Sequence, residues 1–203
     1  MRHGTATVTA MTTADVRPAT LDDVPEIARI QLVTWRTAYG DALGPSVVDA
    51  LTTDEVAARW SEAITHPDTT VYVATEGRFT VGFCVAGAAP ETEVAAADGS
   101  LPEDAARTGL IGSLLVEPRW GRRGHGGRLL ATATAGLREH GAERGIAWVM
   151  QSDSASLAFY RSVGWDPDGT VRTLDTGERT IKEIRLTGTL DLRLEDPATV
   201  ESA

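Results

Sequence analysis

Apolar residues recur at helical spacing in two stretches of the first third of the chain. In the first, Thr20 or Asp23 can cap a helix whose apolar positions are Ile27, Ile30, Val33 and Trp35. In the second, a helix begins at Thr53 and has its apolar positions at Val56, Trp60 and Ile64. It ends at His66-Pro67, because proline disfavours helical backbone in the residue before it. The pattern predicts two amphipathic helices.

The spacing then changes to the two-residue period of β-strands. Thr70–Ala74 and Phe79–Ala86 flank a glycine turn and predict a hairpin. Pro90–Arg107 follows without a period, which predicts a long loop of the kind that often carries substrate specificity. The apolar run Leu110–Val116 predicts a buried central strand that ends before Pro118.

Helices and strands alternate in the rest of the chain. The elements predicted there are a helix over Arg128–His140, a strand over Ile146–Met150, a helix from Asp153 or Ser154 to near Gly164, and a hairpin of Thr170–Leu174 with Thr180–Leu192. Such alternation predicts an α/β fold with a mixed, mainly antiparallel central sheet flanked by helices.

The length of 203 residues fits one compact domain. Residues 1–14 are rich in small and polar residues without a hydrophobic period, and residues 195–203 are acidic and small. We therefore predict two flexible tails around a folded domain at 15–194.

Charge, cysteine content and hydropathy disfavour several classes of protein. The 29 acidic and 19 basic residues give a net charge of -10, which disfavours a nucleic-acid partner. The single cysteine, Cys84, cannot form an internal disulfide, and no apolar stretch approaches the ~20 residues of a membrane span. The chain start lacks a signal-peptide pattern. These features predict a cytoplasmic protein without a membrane partner, and the scattered histidines predict no metal site.

A glycine-rich segment, Gly121–Gly127, lies between the central strand and the following helix. Glycines allow close approach of a ligand, and backbone N–H groups at a helix N-terminus favour a phosphate. The Walker A signature is absent, and Leu129 replaces the third glycine of a dinucleotide-binding fingerprint. A tight connection between strand and helix explains the glycines equally well on this segment alone.

Two motifs make the chain resemble the GCN5-related N-acetyltransferase (GNAT) superfamily over residues 16–190. Gly124-His125-Gly126 matches the second half of that family's pyrophosphate-binding turn, Arg/Gln-x-x-Gly-x-Gly/Ala, although Gly121 stands where Arg or Gln is usual. Downstream, Phe159-Tyr160 and Gly164-Trp165 keep the spacing of the family's Asn-x-x-Ala-x-x-Phe-Tyr and Gly-Phe. Asp153 and Ser156 replace the Asn and Ala of that motif.

The resemblance implies a GNAT-like acyl-CoA N-acyltransferase fold and binding of acetyl-CoA as co-substrate. The residues it assigns to the coenzyme are Leu114, Leu115, Val116, Arg122, Arg123, Gly124, His125, Gly126, Gly127 and Asp153. Asp153 can equally be a helix cap. The strand residues correspond to a family strand that pairs with the pantetheine arm, and their apolar side chains can still face the core.

The implied reaction is direct attack of a primary amine on the acetyl thioester in a ternary complex. Tyr160 matches the family tyrosine near the coenzyme sulfur, and its phenol can protonate the leaving thiolate. Trp35 and Tyr39, together with Trp60, can line the entrance for the acceptor, although aromatic residues at this spacing also pack in cores.

The resemblance does not assign a residue to the role of general base. Many relatives place a glutamate early in the central strand, where this chain has Leu110. Glu117 and His125 are chemical substitutes, but Glu117 beside Pro118 is expected at the surface. The acceptor is a small molecule or peptide amine, and a homodimer is compatible with the pattern. The missing glutamate also leaves open a non-catalytic acyl-CoA-binding regulatory or sensor module.

Overall fold

A computed structural model describes residues 14–40, 44, 47, 49–177 and 179–192. The predicted tails at 1–14 and 195–203 lie outside these residues, except for Ala14, which begins the first strand. Within the described residues, the strands form one seven-stranded sheet. They are β1 Ala14–Pro18, β2 Thr69–Glu76, β3 Phe79–Ala88, β4 Thr108–Val116, β5 Arg144–Met150, β6 Asp166–Asp175 and β7 Thr180–Thr189.

The strand order is β1-β2-β3-β4-β5-β7-β6, and every neighbouring pair is antiparallel except β4 with β5. Helices pack on both faces of the sheet. They are α1 Val24–Thr34, α2 Thr53–Thr65, the single turn α3 Glu91–Val94, α4 His125–Glu139 and α5 Ser154–Ser162. The predicted mixed, mainly antiparallel α/β fold is confirmed.

The two central antiparallel strands β2 and β3 are buried on both faces, as expected for a sheet covered on both sides. On one face, Val73 and Phe83 pack against α1 and α2. On the other face, Ala74 and Cys84 pack against α4. The sheet is therefore the middle layer of three, and Cys84 is a fully buried free thiol.

Local sequence explains where the helices begin. The Thr52 hydroxyl accepts a hydrogen bond from the Glu55 amide, and the Glu55 carboxylate bonds back to Thr52, which forms a capping box at α2. Helix α4 begins at His125, three residues before the predicted start, because Gly124 adopts a left-handed φ of 79° and turns the chain into the helix.

Residues 90–107 differ from the predicted loop. They contain α3 and a 3₁₀ turn at Ala105–Arg107. Arg144 binds Asp104 (Nε–Oδ2, 2.6 Å), and Arg185 donates to the carbonyl oxygen of Glu93. These contacts with β5 and β7 order a segment that has no hydrophobic period of its own.

Strands β4 and β5 pair over four residues only, from Thr108 with Arg144 to Ile111 with Ala147. Beyond this point, the remaining residues of β4 and β5 do not pair with each other. On its other side, β4 stays paired with β3, with a bulge at Gly112 between the pairs Ala86–Ile111 and Val85–Ser113. The two strands leave a wedge-shaped opening in the middle of the sheet.

Candidate active site

Two connected cavities occupy the wedge between β4 and β5. The outer cavity, of about 590 Å³, lies between the end of β4 and the starts of α4 and α5. The inner cavity, of about 260 Å³, lies between β4, β5 and β7. Residues that line both cavities mark the place where they meet: Tyr39, Leu114, Leu115, Asp153 and Ser156.

The outer cavity brings together the residues that the sequence assigned to the coenzyme. Those that line it are Leu114, Leu115, Val116, Arg122, Gly124, His125, Gly126, Gly127 and Asp153. The first backbone N–H groups of α4 have no acceptor within the helix, and Gly124 has no side chain to cap them. A Cβ at Gly126 would lie 3.6–3.7 Å from Phe159 and Leu114, so the missing side chain keeps this part of the cavity open.

Arg123 does not line the outer cavity. Its Nη1 lies 3.1 Å from Glu76 Oε1, and its guanidinium carbon lies 4.9 Å from the ring centre of Trp120. The buried His125 side chain contacts the same carboxylate, with Nε2 2.9 Å from Glu76 Oε2. Both side chains therefore tie the glycine turn to the end of β2.

Tyr160, the predicted proton donor, lines the inner cavity from α5. Its ring stacks on Trp165 with the centroids 5.6 Å apart and an angle of 30° between the planes. Burial raises the pKa of the Tyr160 phenol well above its ordinary value. The hydroxyl is therefore protonated at neutral pH and can donate a hydrogen bond.

Trp35 and Tyr39 also line the inner cavity, from a π-helical turn that follows α1. The Tyr39 hydroxyl donates to Asp153 Oδ2 (2.8 Å). Burial and, next, the charge of Asp153 raise the pKa of Tyr39. Trp60, by contrast, packs in the core at 4.7 Å from the Phe83 ring, which is the second of the two places that the sequence left open for it.

Asp153 is the N-cap of α5. Its Oδ1 accepts from the Ser156 amide (2.9 Å), and its Oδ2 accepts from the Ser156 hydroxyl (2.7 Å) as well as from Tyr39. The cap alternative for Asp153 is therefore confirmed, and the same carboxylate connects α5 to the turn after α1.

Glu117 is buried, contrary to the prediction that it lies at the surface. Its carboxylate pairs with Arg29 of α1 (2.9 Å) and with Arg119 (2.7 Å), which makes burial of the charge possible. Burial alone would raise the pKa of Glu117, but Arg29 and then Arg119 hold it below its ordinary value. Neither Glu117 nor His125 lines the inner cavity.

Glu183 is a carboxylate of the inner cavity that sequence reasoning missed. It lies on β7 opposite Met150 of β5 and opposite Arg172 of β6. Its Oε2 accepts a hydrogen bond from Arg172 Nε at 2.6 Å. Only the strand order places β7 beside β5, so no local motif could have revealed this residue.

The described part of the chain meets neither the requirements of a metal site nor those of a membrane-spanning helix. No group of three His, Cys, Asp or Glu side chains there is arranged to hold a metal ion. None of the helices in those residues has the length and apolar character needed to cross a bilayer.

The chain belongs to the acetyltransferase (GNAT) family, whose model matches residues 30–165. It is thus an N-acetyltransferase of a family that uses acetyl-CoA as co-substrate. The N-acetyltransferase YuaI of Bacillus subtilis strain 168, itself uncharacterized, is 28% identical over 148 residues, which cover 72% of this chain and 77% of YuaI.

Solved structures share the fold. The N-acetyltransferase PaiA of Thermoplasma acidophilum, in complex with coenzyme A, superposes with a TM-score of 0.68 over 87% of this chain and 99% of its own, at 12% identity. YncA of Salmonella typhimurium, with its cofactor acetyl-CoA, gives a TM-score of 0.64 over 88% of this chain and 94% of its own, at 19% identity.

Proposed function

We propose that this protein transfers the acetyl group of acetyl-CoA to a primary amine by direct attack in a ternary complex. The observation that carries the proposal is the pair of connected cavities. One has uncapped helix amides for an anion, and the other has a buried tyrosine and aromatic walls. A coenzyme in the outer cavity would present its thioester at the junction of the two.

The first amides of α4, at His125, Gly126 and Gly127, would bind the pyrophosphate, and Arg122 at the cavity edge would add positive charge. Leu114–Val116 line this cavity where β4 no longer pairs with β5. Their free backbone groups would pair with the amides of the pantetheine arm, as a strand pairs with an added strand. Asp153 would support the arm from the other wall.

The proposed chemistry is a single displacement. The ammonium of the acceptor loses one proton, and the free amine attacks the thioester carbonyl carbon. A C–N bond forms, the C–S bond breaks, and the nitrogen loses its second proton. Tyr160 gives its hydroxyl proton to the departing thiolate and regains one when the second proton leaves the nitrogen, so the products are the acetylamide, coenzyme A and the one proton released from the ammonium.

The test combines calorimetry with a turnover assay. Acetyl-CoA should bind the purified protein, ATP should not, and free coenzyme A should form when an acceptable amine is added. Binding without turnover over a broad amine panel would instead support the regulatory module. No binding at all would contradict the coenzyme site.

A variant locates the site within the molecule. Gly126→Val should weaken acetyl-CoA binding by at least about 10-fold, because its side chain would fill the space where the phosphate approaches the helix. The control is Ala135→Val, which places the same side chain on the same helix outside the outer cavity. Equal affinity in both variants would contradict the placement.

We further propose that residues 15–194 form the single catalytic domain. The free, buried Cys84 is consistent with the reducing cytoplasm that the sequence predicts. Assembly into a homodimer stays a prediction, and size-exclusion chromatography with light scattering would measure it.

A further inference from the structure

The charged side chains that line the inner cavity are acidic, and its other walls combine apolar side chains with hydroxyl groups of tyrosine and serine. Asp153 and Glu183 are its two carboxylates, and no arginine, lysine or histidine lines it among the described residues. The charges of the lining side chains bear on which amines can bind in the cavity. The following inference rests on the proposed function, since it assumes that the inner cavity holds the acceptor.

The two carboxylates differ in what they can still bind. Asp153 already accepts three hydrogen bonds, two from Ser156 and one from Tyr39. Glu183 accepts one, from Arg172 to Oε2, and its Oε1 has no hydrogen-bond partner in the described part of the chain. Glu183 is therefore the carboxylate with a free oxygen for a ligand.

The charge of Glu183 is only partly neutralised. Arg172 also binds Glu93 through Nη1 (2.7 Å), so one guanidinium serves two carboxylates. The next cation, Arg185, is occupied by Asp168 at 2.6 Å. The group formed by Glu183, Glu93 and Arg172 thus keeps one negative charge in excess, and partial burial of Glu183 strengthens its effect.

Aromatic and aliphatic side chains form the other walls. Trp148 lines the cavity, and the guanidinium carbon of Arg172 lies over its ring, 4.3 Å from the ring centre. Trp35, Leu174 and Ile181 add apolar surface. The volume of about 260 Å³ is just below the ~300–1,000 Å³ common for drug-sized ligands, so the cavity fits a small acceptor.

We propose that the acceptor is a small apolar primary amine with no carboxylate beside its nitrogen, and that Glu183 binds its ammonium group. A cation gains from the excess negative charge and from the aromatic walls. An α-amino acid would bring its carboxylate close to Glu183 and Asp153, with no lining cation to pair with it. That repulsion excludes free amino acids.

The experiment compares two probes that differ by one group, 2-phenylethylamine and free phenylalanine. With acetyl-CoA bound, 2-phenylethylamine should be acetylated with a kcat/KM at least about 100-fold above that of phenylalanine, since like-charge contacts are strongly unfavourable. Phenylalanine amide, which removes the negative charge but keeps the size, should recover most of the difference.

Variants separate binding of the ammonium from a structural role. Glu183→Gln should raise the KM for 2-phenylethylamine by about 10-fold or more while acetyl-CoA affinity in calorimetry stays unchanged. Glu62→Gln is the matched control, because it removes the same charge from an exposed position on α2 that neither pairs with Arg172 nor lines the cavity. Its KM should change much less.

The outcomes distinguish the two proposals. Loss of acetyl-CoA binding in the unaltered protein would contradict the proposed function and, with it, this inference. Normal acetyl-CoA binding would support the coenzyme site whatever the acceptor is. Given such binding, the proposed acceptor class would be overturned if phenylalanine and 2-phenylethylamine were acetylated equally well or if 2-phenylethylamine were not acetylated at all. Better acetylation of a short peptide with a free amino terminus would overturn it too.

Discussion

The position of Tyr160 is fixed by aromatic packing around it. Its ring stacks on Trp165 and meets Phe159 edge-on at 5.3 Å. Trp165 is fully buried, and its indole N–H donates to the Thr189 carbonyl oxygen (3.0 Å). The role proposed for Tyr160 at the coenzyme sulfur depends on such rigid support, because small displacements of a catalytic group lower the reaction rate.

Tyr160→Phe tests the hydroxyl alone, because phenylalanine preserves the ring contacts. We expect kcat to fall by about 10²-fold or more, the usual range for loss of a general acid. Acetyl-CoA affinity and the melting temperature should stay close to those of the unaltered protein. Unchanged turnover would remove Tyr160 from its proposed role.

The sequence predicts the position of candidate site residues that belong to local motifs, and it misses candidates whose position depends on distant contacts. Tyr160 and the glycine turn each lie in a short stretch with its own spacing, and the structure brings both to the wedge. Glu117 was misplaced because its partner Arg29 lies 88 positions away. The same limit hid Glu183, whose place depends on the strand order.

At the scale of elements, helix α1 is joined to the end of β4 by Glu117. The residue follows the last residue of β4 and precedes the glycine turn, and Arg29 reaches it from α1. The backbone N–H of Glu117 also donates to the Val81 carbonyl oxygen (2.9 Å). These contacts fix the direction in which the chain enters the turn.

Glu117→Gln should therefore lower the free energy of unfolding at pH 7 by about 1–2 kcal/mol, a modest loss because both guanidiniums reach solvent. The folded-state pKa of Glu117 lies below that of the unfolded chain, so its contribution is complete above the unfolded value of about 4.3. It disappears as the pH falls through the folded-state pKa.

Urea denaturation of the unaltered protein and of Glu117→Gln between pH 7 and pH 3 measures the difference in their free energies of unfolding. The contributions of the other carboxylates are common to both proteins and cancel in this difference. The gap between the two proteins should be largest at neutral pH and shrink below about pH 4. A gap that stays constant over this range would show that the charge of Glu117 is not what stabilises the junction.

The elements with a strong period are predictable, and the others are not. Hydrophobic spacing predicted α1, α2 and the central strands nearly to their bounds. It missed α3, because a four-residue helix is too short for a period to appear. Hydrophobic spacing could not predict the opening between β4 and β5 either, since its shape depends on how two strands from different parts of the chain separate.

At the scale of the whole molecule, two facing glycines connect the sheet to helix α5. Gly145 of β5 pairs with Gly188 of β7, and a Cβ on either would overlap the indole of Trp165. The indole fills the space that both side chains would occupy. The C-terminal half of the sheet, Trp165 and Tyr160 therefore form one packed unit.

Gly145→Ala should destabilise the protein by about 1–3 kcal/mol, the usual cost of overpacking a core. Turnover should fall as well, because the displaced Trp165 carries Tyr160 with it. Gly40→Ala is the control, since Gly40 has helical dihedrals and its nearest neighbour, the Trp35 carbonyl oxygen, lies 4.0 Å from the added carbon. Equal stability of both variants in urea denaturation would contradict this account of Trp165.

The strand order also determines when each half of the molecule can form during synthesis on the ribosome. Strands β1 to β4 are neighbours in the chain and in the sheet, so they can pair once residue 116 has left the exit tunnel. Strand β5 lies between β4 and β7 and gains most of its pairing from β7. The inner cavity can therefore form only once residues 180–189 are available, and a nascent chain stopped before them would have the glycine turn but an incomplete inner cavity.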